Sequence, residues 1–134
     1  MSRMVVGAIV SAVADAVETA GVTPVYERRI SALDDGEGAV VRVGPQGTVR
    51  QYINGQADVS QRIRVMVRRR SATAAMSDAE RAWDAMDGLT VTAGGVTASL
   101  SAYGTPTELT LEDSGHSVWE ADATATYTTP KQGE

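Results

Sequence analysis

The chain has 134 residues, no cysteine, no phenylalanine and a single histidine. The absence of cysteine excludes disulfides and thiolate metal sites, so redox chemistry gives no information on the compartment. With His116 alone, the sequence gives little support to a zinc site or to the usual Ser-His-Asp arrangement. Because His116 follows Gly115 in a predicted hairpin turn, we expect it at the surface. We therefore assign no catalytic, cofactor-binding or metal-binding residue, and we predict that the protein is not an enzyme.

Other functional signals are also scarce. The glycines of residues 44–47 lack the Lys-Ser/Thr that follows a phosphate-binding loop. The carboxylates at Asp34, Asp35 and Glu37 do not have the spacing of an EF-hand. A net charge of -5 gives no general attraction to nucleic acid, and two tryptophans and four tyrosines offer few rings for base stacking.

The longest apolar stretch, residues 4–17, is interrupted by Gly7, Ser11 and Asp15. It is too short and too polar to span a bilayer, and it lacks a convincing signal-peptide processing site. We expect no membrane contact and a protein that is intracellular when made. The length fits one domain, and no second domain is needed.

The chain does contain one unusual segment, residues 58–70, with the sequence DVSQRIRVMVRRR. In a strand, alternate side chains point to opposite faces, so this segment has an aliphatic face and an arginine face. Its thirteen residues would extend roughly 40 Å, so the strand crosses the whole domain or projects beyond it. The aliphatic face predicts a core contact, with Val59, Ile63, Val65 and Val67, and the other face carries Arg62, Arg64, Met66, Arg68 and Arg70.

Adjacent guanidinium groups repel, so carboxylates are expected near the arginine face. The acidic last strand can supply them through Glu120 and Asp122, either within one subunit or between subunits. Alternate arginines, about 6.6 Å apart, also match every second phosphate of a DNA strand loosely, so nucleic-acid contact is a weaker alternative. A long central strand with a solvated basic face stays open beside the assembly role. The candidate residues at a subunit interface or lumen are Arg62, Arg64, Arg68, Arg69, Arg70, Glu120 and Asp122.

Periodic apolar residues predict two helices. The first includes Val6, Ile9, Val13 and Val17 and ends at Gly21. The second begins after Ser71, or after Ser77 with Glu80 as a capping box, and ends at Gly88. Its predicted inner face comprises Ala72, Ala75, Met76, Ala79, Trp83 and Met86, and its outer face Asp78, Arg81 and Asp84.

Alternating residues predict strands between these helices and after them. Turn signals lie at residues 44–47, 54–55, 94–95 and 113–115. The predicted fold class is α/β (α+β), a mixed, mainly antiparallel sheet with two helices packed on it. We expect residues 1–129 to form a single domain, followed by a flexible tail at residues 130–134. The predicted strands are 25–30, 39–43, 49–53, 58–70, 89–92, 96–102, 107–111 and a last strand in which Trp119, Ala121, Ala123, Ala125 and Tyr127 share a face.

Two stretches carry a resemblance to a known family. In the first, QRIRVMVRRR passes directly into a helix that contains AERAWDAM; the second is residues 106–119, from the PTEL sequence to Trp119. This arrangement resembles the tail terminator or minor capsid proteins of long-tailed bacteriophages, over most of the chain. The resemblance implies a tail-terminator-like fold without catalytic residues.

For function, the resemblance implies a structural virion protein that forms a hexameric ring at the head-proximal end of the tail tube. Such a ring stops tube polymerisation and takes part in head-tail joining. The implied partners are other copies of the chain, the tail-tube protein and a head-completion or connector protein, with genomic DNA passing non-specifically through the lumen. The implied location is the virion, at the head-tail interface, after assembly in the host cytoplasm. Two alternatives stay open: another connector or tail-tube subunit, and a nucleic-acid or regulatory binding module.

Overall fold

A computed structural model describes residues 2–27 and 36–129. The end of the first predicted strand, residues 28–30, lies outside them, as do Asp34, Asp35 and the predicted tail at 130–134. The elements confirm the α+β class, and neither helix in the described part is long and apolar enough to cross a bilayer. In chain order they are α1 (Ser2–Thr19), β1 (Val25–Glu27), β2 (Gly38–Gln51), β3 (Ala57–Arg69), α2 (Ala72–Met86), β4 (Thr90–Ala93), β5 (Val96–Leu111) and β6 (Ser117–Thr128).

The strands form one six-stranded sheet in the order β1-β2-β3-β6-β5-β4. β1 and β2 are parallel, and every other neighbouring pair is antiparallel. Two long hairpins, β2–β3 and β5–β6, are joined where β3 pairs with β6. The arginine strand is therefore β3, which crosses the domain between two long partners and does not project alone.

Both helices cover the same face of the sheet. α2 packs on β3, β5 and β6, and α1 contacts α2, β2 and the two outermost strands, β1 and β4. Because β1 and β4 lie at opposite edges, the sheet must curl around α1 to bring both against it. The aliphatic face of β3 is confirmed as part of this core, since Val59, Ile63, Val65 and Val67 are all buried there.

The prediction of two separate strands over residues 39–43 and 49–53 is wrong, because β2 is continuous. A shift in register between Val43 and Gln46 absorbs Gly44 and Pro45 as a bulge, while β3 continues unbroken beside them. The bulge removes the Gly44 carbonyl from the regular ladder, and the buried Gln61 side chain donates to it at 2.7 Å. Proline lacks an N–H to donate, which is tolerated at such a bulge on an outer strand.

The predicted separation of strands 96–102 and 107–111 is wrong for the same reason. β5 is one strand, and its register with β6 shifts between Tyr103 and Thr107. Gly104 occupies the left-handed region inside this bulge, with φ of 64°. A glycine and a proline therefore bend a strand here without ending it.

The predicted helix ends and the tight turns at residues 54–55, 94–95 and 113–115 are confirmed, whereas residues 44–47 lie within β2. Gly21 and Gly88 take positive φ just after α1 and α2. The Ser71 hydroxyl accepts the N–H of Ala74 at 3.2 Å, so α2 begins at the earlier of its two predicted starts. The turn after β2 has Gly55 at φ of 90°, and the Tyr52 N–H donates to the Gln56 carbonyl at 2.8 Å.

Candidate functional site

The side of the sheet away from both helices, which we call the open face, carries most of the arginines of β3. Strand register aligns Arg42 of β2, Arg64 of β3, Asp122 of β6 and Tyr103 of β5 in one row across the sheet. Arg62 lies two residues along β3, on the same face. The row and Arg62 together place three guanidinium groups and one tyrosine ring near Asp122.

Arg64 is paired with carboxylates of its own chain. Its Nε donates to Asp122 Oδ1 at 2.8 Å and lies 2.9 Å from Glu120 Oε2. The single Nε proton is directed to Asp122, so the buried Glu120 Oε2 interacts with it through charge and without a hydrogen bond. The hydrogen bond with Asp122 raises the pKa of Arg64, opposed by its partial burial and aided by both carboxylate charges. The sequence left open whether the carboxylates would come from the same subunit or from a neighbour. In the structure, Glu120 and Asp122 of the same chain pair with Arg64.

Arg68 joins β3 to the turn between β5 and β6. Its Nε and Nη2 donate to the two carboxylate oxygens of Glu112 at 3.0 and 2.8 Å, and its Nη1 donates to the Gly36 carbonyl at 2.5 Å. Hydrogen bonding from Arg68 holds the pKa of Glu112 below its usual value. The Arg68 side chain is buried, so this bidentate ion pair links β3 to the turn between β5 and β6 inside the fold.

Arg69 points to the helix side of the sheet, where its Nε donates to Asp78 Oδ2 at 2.7 Å and its Nη2 to the Thr23 carbonyl at 2.8 Å. The prediction that Asp78 points mostly away from the sheet is wrong, because it is buried in α2 to neutralise Arg69. The sequence contains the signal: Asp78 falls in the same helical stripe as Ala75 and Ala82. Arg70 follows the strand, is exposed, and its backbone N–H donates to Glu37 Oε1 at 2.7 Å.

Arg42 and Arg62 differ from these paired arginines. Within residues 2–27 and 36–129, neither has a carboxylate at ion-pair distance. Arg42 Nη1 contacts the Met66 sulfur at 3.4 Å, and the Arg62 guanidinium lies 5.6 Å from the centroid of the Tyr103 ring. Sequence reasoning missed Arg42, because its place beside Arg64 depends on the strand register.

These residues line a cavity of about 390 Å³, the arginine pocket. Gly44 forms part of its wall, and a Cβ at that position would come only 3.0 Å from the Arg62 Cβ. A larger residue at this position would therefore require β2 or Arg62 to shift by a few tenths of an ångström. Two guanidinium groups that have no carboxylate at ion-pair distance within the described part of the chain can bind a carboxylate or phosphate of a partner. Its lining is Arg42, Val43, Gly44, Pro45, Arg62, Arg64, Tyr103 and Asp122.

His116 is buried, so the prediction of a surface histidine is wrong. Its Nδ1 lies 2.7 Å from the Ser114 hydroxyl, within the turn that Glu112 attaches to Arg68. The ion pair of Glu112 with Arg68 thus holds the turn against the end of β3. No group of three or more histidine or acidic side chains within the described ranges is arranged to hold a metal ion.

Comparison with known proteins agrees with this architecture. A search among curated protein sequences finds no match. A chain from the virion of a native gene transfer agent (GTA) particle has a similar structure, with a TM-score of 0.63 at 16% sequence identity. The alignment covers 92% of this chain and 97% of that chain, so the likeness extends over the whole fold. A family model described as bacteriophage tail terminator protein matches residues 14–129. The chain therefore belongs to the bacteriophage tail terminator family, whose members are structural proteins of the phage tail.

Proposed function

We propose that this protein closes a ring at the head-proximal end of the tail tube, which stops tube polymerisation and joins the tail to the head. The observation that carries the proposal is the family match over residues 14–129. The proposed partners are copies of the chain, the tail-tube protein and a head-completion or connector protein. Genomic DNA passes through the lumen without being recognised by sequence.

Head-to-tail contacts between identical subunits explain how such a ring can close and why its two faces differ. A subunit that contacts its neighbours through two different surfaces forms a head-to-tail series, which closes into a ring when the rotation between neighbours allows it. A closed ring has no free lateral contact left, so lateral growth ends. Its two ends differ, so one can bind the tube while the other binds the connector.

Within this proposal, the predicted interface residues divide into two groups. Arg62 and Arg70 are exposed and have no carboxylate at ion-pair distance among the residues that the structure describes, so we propose them, together with Arg42, as contacts to a neighbour or the lumen. Arg64, Arg68 and Arg69 are engaged inside the subunit, Arg64 through Glu120 and Asp122. An interface role for this second group stays a prediction.

Tube assembly in the presence of the purified chain tests the function directly. The tail-tube protein of the same phage is allowed to polymerise with and without this chain, and tube lengths are measured by electron microscopy. We expect shorter tubes that carry one additional ring at one end. Stacks of this chain that extend the tube would instead identify a tail-tube subunit, and tubes of unchanged length without a ring would contradict the terminator function.

A further inference from the structure

Two segments of the sheet have no strand on their outer side among the described residues. β1 covers only residues 39–41 of β2, so the β2 arm, which we define as residues 47–51 of β2 together with residues 52 and 53 at the start of the turn, is open on that side. β4 pairs with residues 96–99 of β5, and the backbone before β4 contacts Leu100. The β5 edge, which we define as residues 107–111, is therefore open as well.

Each open segment contains a bulge, and in both the extra residue is a large aliphatic one. The register of β2 with β3 shifts between Thr48 and Arg50, which leaves Val49 as the bulged residue. The register of β5 with β6 shifts between Glu108 and Thr110, which leaves Leu109. A bulge redirects a side chain and often protects an edge from unwanted pairing, but a protected edge normally carries charge.

These two segments instead expose aliphatic side chains to water. Val49 is 72% exposed and Ile53 fully exposed on the β2 arm; on the β5 edge, Leu109 is 44% and Leu111 63% exposed. Apolar side chains grouped in this way on a strand edge are typical of a contact with another protein surface. Each subunit therefore has two exposed apolar segments that are suited to contact another protein surface.

One chain cannot bring its own two segments together. The β2 arm lies outside β3, and the β5 edge lies outside β6, on the opposite side of the sheet. They also lie at opposite ends of the strands: Thr48 pairs with Val59, whereas Glu108 pairs with Trp119, which pairs with Val67. A second copy can join them, and each copy then presents one segment to each neighbour.

We propose that the β2 arm of one copy packs on the β5 edge of the next copy, with Val49 and Ile53 against Leu109 and Leu111. This inference rests on the proposed ring. Charge favours a second copy as the occupant, because Arg50 lies on the arm, whereas Glu108 lies on the edge and the exposed Asp113 follows it. Arg50 has no carboxylate at ion-pair distance among residues 2–27 and 36–129.

The contact also determines how the ring must be built. The two segments are offset by eight residues along β3, from Val59 to Val67, which is roughly 26 Å. Neighbours joined in this way are staggered along their strands. Such a stagger is compatible with a flat, closed ring only when the strands are steeply tilted to the ring axis, as in closed barrels.

The absence of native cysteine allows a direct test by disulfide cross-linking. We expect the double variant Val49→Cys, Leu109→Cys to give a ladder of covalent oligomers on mild oxidation, seen on a non-reducing gel. A mixture of the two single variants should give dimers that contain one chain of each. The matched control is Val49→Cys with Glu80→Cys, which places the second cysteine on an exposed position of α2, and it should give no ladder.

Ring formation is measured on the same samples by native mass spectrometry, which separates the two proposals. Rings without a cross-link between positions 49 and 109 would overturn this contact and leave the proposed function intact. Homodimers of Val49→Cys alone would also overturn it, because they require a symmetric contact. Failure to form rings under every condition, with the tail-tube protein present, would contradict the proposed function itself.

Discussion

Arg69 Nε donates a 2.7 Å hydrogen bond to Asp78 Oδ2, which connects the end of the arginine strand to the helix that follows it. Both side chains are largely buried, and Arg81 lies 3.6 Å from the other oxygen of Asp78. This pair attaches the first half of α2 to β3, beside the packing of the buried apolar residues of the helix on the sheet. The arginine that faces the helices thus supports the fold of the subunit.

Replacing Asp78 with alanine should destabilise the protein strongly, because it leaves the Arg69 guanidinium buried without a counter-charge. We expect a loss of about 3 kcal/mol in the free energy of unfolding, measured by urea denaturation. Asp84→Ala, at an exposed position of the same helix, is the control and should change stability by less than about 0.5 kcal/mol. Equal effects of the two substitutions would contradict a structural role for the pair.

Alanine substitutions at Ile63 and Ile53 should distinguish an effect on folding from an effect on ring assembly. Ile63 is completely buried on the helix side of β3, so Ile63→Ala should cost about 3 kcal/mol of unfolding free energy. Ile53 is fully exposed, so Ile53→Ala should leave the monomer as stable as the wild type but weaken ring formation. Urea denaturation and native mass spectrometry of the same two variants check both statements. A stability loss in Ile53→Ala comparable to that of Ile63→Ala would show that the arm belongs to the monomer fold.

Reversing the charge of Arg62 should affect assembly, whereas reversing that of Arg64 should affect folding. Arg64→Glu places a third carboxylate beside Glu120 and Asp122, so we expect a markedly lower denaturation midpoint. Arg62→Glu loses only its contact with the Tyr103 ring, at a cost of about 0.5–1 kcal/mol. We expect this variant to remain folded and to fail to form rings. If Arg62→Glu formed normal rings, the arginine pocket would face solvent or the lumen and would not contact a neighbouring subunit.

Acid should weaken the end of the sheet that carries the β5–β6 turn. The pKa of Glu112 is lowered in the folded protein by hydrogen bonding from Arg68, so this carboxylate binds protons more readily in the unfolded chain. Its stabilisation is complete above the ordinary carboxyl pKa of about 4 and is lost as the pH falls through the lower folded-state value. Asp58, whose pKa is lowered by hydrogen bonds from Thr128 and Tyr52, acts in the same direction at the opposite end.

The variant Glu112→Gln isolates this contribution. At pH 7 it should unfold at a lower urea concentration than the wild type, because Arg68 loses its charged partner. The difference between the two proteins should begin to shrink as the pH falls below about 4 and should vanish once the pH lies below the lowered folded-state pKa of Glu112, where the wild-type carboxylate is also neutral. A difference that stays constant down to strongly acidic pH would contradict the ion pair as its cause.

Local patterns predicted the two faces of β3, the helix limits and the tight turns, since each depends on residues close in sequence. Two breaks in the strand pattern were misinterpreted, at Gly44 with Pro45 and at Gly104 with Pro106, because a bulge and a turn have the same composition. Only the unbroken partner strand decides between them. Arg42 was missed for a related reason: its proximity to Arg64 follows from register across strands.

Buried polar residues were harder to predict than buried apolar ones. Asp78 and His116 are typical surface residues by type, and their burial depends on Arg69 and on the turn held by Arg68. The arginines themselves were recognised from alternation. Which of these arginines are neutralised inside the subunit depends on carboxylates that are distant in sequence. The sequence could therefore locate the arginine surface but could not tell the paired arginines from those that are open to a partner.

The mass of the assembly formed by the wild-type chain tests the central claim most directly. Native mass spectrometry at micromolar concentration, alone and with the tail-tube protein, reports the number of copies without any substitution. We expect a closed assembly of six chains, which electron microscopy should show as a ring. A monomer in every condition, including with the tail-tube protein present, would contradict the account.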